Sequence, residues 1–352
     1  MATLASQQYT VESPLEAIEL CYRMGWTDGL PVVPPSQQRV LQFLEHAGRE
    51  PSQPVLVEPV TGRIVTVEKA AINAVMAGCL PEHFPVVLAA LEAMSDPDFN
   101  LHGATLNTGG SAVMAVVNGP IVQRIGMNSG VALFCPGNRA NATIGRALHL
   151  VLWNCTGNRP DELDKTVMGH GGRYSMCIAE REEALPQGWQ PFHVERGLPA
   201  GSSAVTVFTA AHPLQAGYHG SPDPKEILIN VADTMTVLPP WNQELLMVVS
   251  PEILRHFDKA RWSKADVGEF LFQEARRPGY AVRRAHKFRY SYHAQAAGDQ
   301  DMLPVLDRPE ALDIVAGGGE GGAFVLVVAL YGNGIHSRSI TREVQLKGTQ
   351  EV

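Results

Sequence analysis

The densest collection of groups able to move a proton or hold a ligand lies at 169–197, GHGGRYSMCIAEREEALPQGWQPFHVERG. It contains His170, Tyr174, Cys177, Glu180, Glu182, Glu183, His193, Glu195 and Arg196. The stretch is too polar for a core element and too rich in specific groups for a linker, so it reads as an active-site loop. The competing reading is a solvated surface loop whose His193 satisfies a backbone group. His193 and Glu195 stand two apart, and on an extended strand both would project from one face. A carboxylate beside an imidazole fixes its tautomer and raises its basicity, which makes the two an acid–base pair. With His170 or Glu180 they could also form a mixed nitrogen and oxygen metal site, although the spacing matches no standard zinc pattern.

A second polar segment, PGNRANATIG at 136–145, leads into a helix whose first N–H groups need partners. Asn141 or Thr143 is the expected cap. Arg139 and Arg146 flank the segment, so helix-end amides and a guanidinium could grip a carboxylate or phosphate together; plain capping beside surface arginines is the alternative. Lys69 begins an apolar helix face, where burial could lower its pKa for base or Schiff-base chemistry. Cys79, Cys135 and Cys177 are each potential nucleophiles if a positive neighbour stabilises the thiolate. The cluster GGGEGG at 317–322 lacks the Lys-Ser/Thr of a phosphate loop and the spacing of a dinucleotide fingerprint, so no nucleotide cofactor is expected.

The elements that must position these residues alternate between helix and strand. Ser13-Pro14 opens an amphipathic helix, and WTDGLPVVPP at 26–35 follows as a rigid loop, because its prolines remove donors and force extended geometry. Ser36 caps a second helix. PVLVEPV and GRIVTV, joined through Thr61-Gly62, form a hairpin. Helices are expected at 68–77 and 84–94, then a buried strand AVMAVV at 112–117 ended by Asn118-Gly119-Pro120. The second half offers a helix at 225–237, an apolar run at 245–249 ended by Ser250-Pro251, and strands at 312–315 and 324–330. In both halves the strand is followed by a short helical piece, at 121–125 or 252–257, a polar loop, NRANATIG or WSKADVG, and a longer helix. The fold class is α/β, with mixed sheet layers and helices and an internal pseudo-repeat of two αβα halves. The segments are 1–54, helical with a Pro-rich loop, and the α/β halves 55–200 and 201–352, which could form one compact domain.

The charge of −8 supplies no basic field for nucleic acid. A local run, Arg276, Arg277, Arg283, Arg284, Lys287 and Arg289 with interleaved aromatics, reads as a solvated face before it reads as an anion or single-strand site. No apolar stretch is long enough to span a bilayer, and MATLASQQYTVESP has no leader pattern. Five scattered cysteines without a Cys-x-x-Cys pair suit a reducing compartment. The expectation is a cytoplasmic chain, without nucleic-acid or membrane partners, acting as a homo-oligomer on a small molecule.

EKAAINAVMAGCLPEHFPVVLAALEAM, NRANATIGRA, YSMCIAEREE with HVERG, WSKAD and WTDGLPVVPPS together resemble an uncharacterised bacterial family associated with the UGSC-motif (seleno)proteins. The resemblance covers most of the chain, but the tetrapeptide that names the associated group does not occur here. It implies functional positions at Glu68, Lys69, Asn73, Arg139, Asn141, Glu180, Glu182, His193, Glu195, Arg196, Ser263, Lys264 and Asp266. Arg181 stands where members typically carry Asn.

Together these readings predict an enzyme that acts on a small anionic substrate by hydrolysis, hydration or elimination. His193 and Glu195 are its acid–base pair, with Glu180 and Cys177 in the same segment. Arg139, Asn141 and Arg196 orient the anion, and Lys69 or Lys264 assists. The alternatives are a thiol-dependent redox enzyme using Cys79, Cys135 or Cys177, and a non-catalytic subunit. A divalent metal on His170, His193 and Glu195 is the one cofactor considered.

Overall fold

The computed structural model describes residues 4–160, 162–238, 244–284, 297–331 and 337–347. Helices α1 (Pro14–Arg23) and α2 (Gln37–Ala47) are capped by Ser13 and Ser36 as expected, and strands β1 (Pro54–Val57) and β2 (Ile64–Thr66) form the hairpin. Next come α3 (Val67–Ala77), α4 (Phe84–Met94), α5 (Leu101–Thr105), β3 (Ala112–Asn118), α6 (Ile121–Arg124) and α7 (Arg139–Val151). The middle of the chain holds β4 (Cys177–Ala179), α8 (Phe192–Glu195), β5 (Ala204–Ala210), β6 (Leu214–Gly217) and α9 (Pro224–Met235). The remainder is β7 (Leu245–Val249), α10 (Pro251–Ala260), α11 (Lys264–Glu274), β8 (Arg276–Pro278), α12 (Gly279–Arg284), β9 (Met302–Pro304), β10 (Leu312–Ala316), β11 (Phe324–Ala329) and β12 (Ile340–Glu343).

Two four-stranded mixed sheets, in the orders β12-β5-β3-β4 and β10-β7-β11-β6, make an α/β fold. The strands explain their own sequences. Val113, Ala115 and Val117 of β3 face a core shared with α3, α4 and α7, whereas Met114 and Val116 face the other sheet. Likewise Leu245, Met247 and Val249 of β7 pack under α9, α10 and α11, and Leu246 and Val248 point inward. The layers run helix, sheet, sheet, helix, so central strands are covered on both sides and read as unbroken apolar runs. Within each sheet the central strand pairs parallel on one side, β3 with β4 and β7 with β10, and antiparallel on the other, with β5 and β11. Each antiparallel strand is followed by one that joins the opposite sheet: β6 pairs with β11, and β12 with β5.

Several expectations need correction. The polar stretches NRANATIG and WSKADVG are largely helix. Asn138, not Asn141 or Thr143, caps α7 by accepting the Asn141 N–H at 3.0 Å, and Ser263 and Asp266 form a capping box on α11. The cap lies further upstream than polarity suggested, because polar residues also sit inside the first turns of α7: Asn141 is buried there with its amide bonded to the Asn128 backbone, and Thr143 Oγ1 bonds Arg139 O. The polar segment 169–197 is not all loop, since it contributes the buried strand β4. In the basic run, Arg276, Arg277 and Arg283 bond backbone or acidic oxygens, and Lys287 and Arg289 lie outside the described residues. No helix among the described residues is long and apolar enough to cross a membrane.

The proline-rich loop is held by its neighbours. Arg146 of α7 grips Asp28 with two bonds of 2.8 Å and donates to Pro31 O at 2.9 Å, and Trp153 Nε1 donates to Gly25 O. Both ends of the Arg146–Asp28 pair are largely shielded from water, so Arg146→Ala should lower stability by about 1.5–3 kcal/mol. It should also expose 26–35 to limited proteolysis; an unchanged cleavage pattern would refute this anchoring role.

Candidate active site

The C-terminal ends of β3, β4 and β10 meet where the edge of one sheet reaches the edge of the other. Asn118 is the last residue of β3, Glu180 follows β4 directly, and the Arg181 N–H donates to Ala316 O at the end of β10. The next turn carries Glu182, and α8 brings His193 over the same corner. Strand ends supply this kind of convergence because their side chains leave the layered core together.

Glu180 is 2% exposed. Its Oε2 accepts from Asn118 Nδ2 at 2.5 Å and Phe192 N at 2.8 Å, and its Oε1 accepts from Ala316 N at 3.3 Å. Glu182 Oε1 accepts from Asn118 Nδ2 at 3.1 Å and Gly119 N at 2.7 Å. One amide therefore bridges two carboxylates, and its NH2 must face them. Its Oδ1 is buried without a partner among the described residues. His193 is wholly buried, and among the described residues neither ring nitrogen has a hydrogen-bond partner. Its Nδ1 lies 3.6 Å from Glu182 Oε1, close but too long for a hydrogen bond. Buried polar atoms are nearly always satisfied in folded proteins, so orphans gathered around one carboxylate point to a bound group.

No protein-family model and no curated protein matches this sequence.

Burial pushes Glu180 up to about 7, against the lowering effects of Lys264 and of the donors on its oxygens. A carboxyl that changes charge near neutrality suits proton transfer. The folded state favours the protonated form, so Glu180 stabilises the fold most below its ordinary value of 4.5, and this contribution is lost as pH rises through about 7. The loss should be on the order of 3 kcal/mol. Urea unfolding at pH 5 and pH 8 should show Glu180→Gln with a flatter pH dependence than the parent, and parallel behaviour would contradict the shift. Asp313, which burial pushes up to about 6, acts in the same sense in both proteins.

Of the residues selected from sequence, Glu180, Glu182 and His193 belong to this cluster. Glu195 does not pair with His193, because α8 is a helix and residues two apart diverge around it. Glu195 instead binds Lys264 Nζ at 2.8 Å, on the rim. The partner of His193 is Glu182. Arg196 binds Asp313 at 2.6 Å and Ser339 Oγ at 2.9 Å. Arg139 donates to Gly78 O at the end of α3, and Asn141 braces both backbone groups of Asn128, so neither forms the expected anion grip. Lys69 is exposed on α3, an outer helix packed on α7.

His170 Nε2 meets Ala210 O at the far end of β5, whereas Asn118 is in register with Ala204 at the near end, about 20 Å away along the strand. The set His170, His193 and Glu195 is thus not assembled. Among the described residues no group of three His, Cys, Asp or Glu side chains is placed to hold a metal. Cys177 faces the helical core, where burial pushes its thiol far up, and burial pushes the Cys79 thiol up to about 12. Neither is a ready thiolate.

Sequence alone places Asn118 in the turn that ends β3 and gives it no role in the site. The available signal was its position, the first polar side chain after an apolar central strand. A cleft of about 280 Å³ lies nearby, lined by Arg181, Glu183, Pro186, Pro251, Arg255 and Glu320, and none of the four corner side chains lines it.

Proposed function

We propose that this chain is an acid–base enzyme that hydrates, eliminates or hydrolyses a small polar substrate at the Asn118–Glu180–Glu182–His193 corner. The observation that carries the reading is the buried imidazole with two free ring nitrogens beside a carboxylate. His193 transfers the proton, and Glu182 turns to orient the ring and to balance its charge when it is protonated. Glu180 stands as the carboxyl whose charge changes near neutrality, and Asn118 holds the two acids apart. The test is a turnover screen of the purified chain against small hydroxy acids, amino acids, amines and amides, with products followed by NMR. His193→Asn and Glu182→Gln should each abolish any turnover found, and full activity in both would dispose of the proposal.

A further inference from the structure

We infer that the same corner takes a ligand that presents N–H donors on a positive charge, a primary ammonium group, and not the anion that the sequence suggests. The inference rests on the acid–base site just proposed and deepens it by naming the ligand chemistry.

The inventory of free lone pairs and protons decides the class. Asn118 Oδ1 is an acceptor, and it cannot flip to become a donor, because its NH2 already serves Glu180 and Glu182. Among the described residues no group donates to Glu182 Oε2, and the Glu182 side chain is 29% exposed. Neutral His193 offers one acceptor and one donor. Acceptors therefore outnumber donors, and two carboxylates share the site.

The cations nearby are committed elsewhere. Lys264 binds Glu195 and Gln190 O, and reaches Glu180 only through space. Arg181 binds Glu183, Glu320 and Gly318 O, and Arg196 binds Asp313. Among the described residues no lysine or arginine donates to Glu180 or Glu182. An anion placed here would meet carboxylates with a single imidazole N–H to receive it. An ammonium would satisfy Asn118 Oδ1 and Glu182 together, each through a charge-assisted bond.

The experiment uses the whole chain with ¹⁵N-labelled histidine, titrated with ethylammonium and, separately, with acetate, while the His193 ring resonances are followed. Ethylammonium should shift them saturably and acetate should not. Glu182→Gln should weaken ethylammonium by at least about tenfold, the loss expected for one charge-assisted bond. Glu183→Gln, which alters an exposed partner of Arg181, should leave it unchanged. A saturable acetate shift without an ethylammonium shift overturns the ligand class while leaving the acid–base reading intact. Silence with ethylammonium also overturns the ligand class, and the acid–base reading falls with it only if His193→Asn keeps full turnover.

Discussion

Replacing His193 by asparagine is expected to lower turnover by about 10²–10⁴-fold, the range that a positioned acid–base group contributes. Stability should barely change. The ring makes no hydrogen bond that asparagine would lose, and it sits buried with two unsatisfied nitrogens, an arrangement that costs free energy in the unliganded protein. A Tm within a few degrees of the parent, combined with lost turnover, separates chemistry from folding. The ring is held in place through its own helix: Phe192 stacks on Phe208 inside the inter-sheet core, and Arg196 lies over the Phe192 ring at 4.9 Å. His193 is thereby fixed by packing, without polar contacts that would compete with a ligand.

The second large effect is on the fold itself. Gly119 has φ +82, and a Cβ there would lie 2.1 Å from Ser202 O and 2.9 Å from Ser203 Cα. Left-handed backbone strain and overpacking together should make Gly119→Ala less stable by roughly 2–6 kcal/mol. The same residue donates its N–H to Glu182, so the folded fraction that remains should also lose activity. A urea midpoint equal to the parent's would show that the turn relaxes at little cost.

The legible parts of the sequence were those where one physical requirement dominated. AVMAVV and LLMVV read as buried strands because both faces of β3 and β7 are covered, and Phe84–Met94 reads as a helix from its length and apolarity. The hairpin was marked by its turn. What failed was local. Three residues of β4 are too few to show a period, and polar neighbours on both sides hid them. The seven-residue strand β5 (AVTVFTA) and the short strand β6 went unread, their threonines and glycine diluting the apolar signal.

The site divided in the same way. Composition singled out the segment that carries Glu180, Glu182 and His193, but the pairing within it depends on α8 turning as a helix. Asn118 comes from 62 residues before Glu180 and joins it only because β3 and β4 are neighbours. Arg139, Asn141 and Lys69 were chosen for chemical type, and tertiary contacts or outward placement gave each of them other work. No reading of a local stretch supplies those contacts.

The exchange of outer strands sets the order in which this polypeptide can be completed. As it leaves the ribosome, β5 has β3 on one flank, while its other flank waits for 340–343, more than a hundred residues later. Until then that flank offers a row of unpaired amides and carbonyls to any passing strand, the situation in which nascent chains associate wrongly. Residues 340–343 therefore close a sheet begun far upstream, and that flank of β5 is covered only once they have been made.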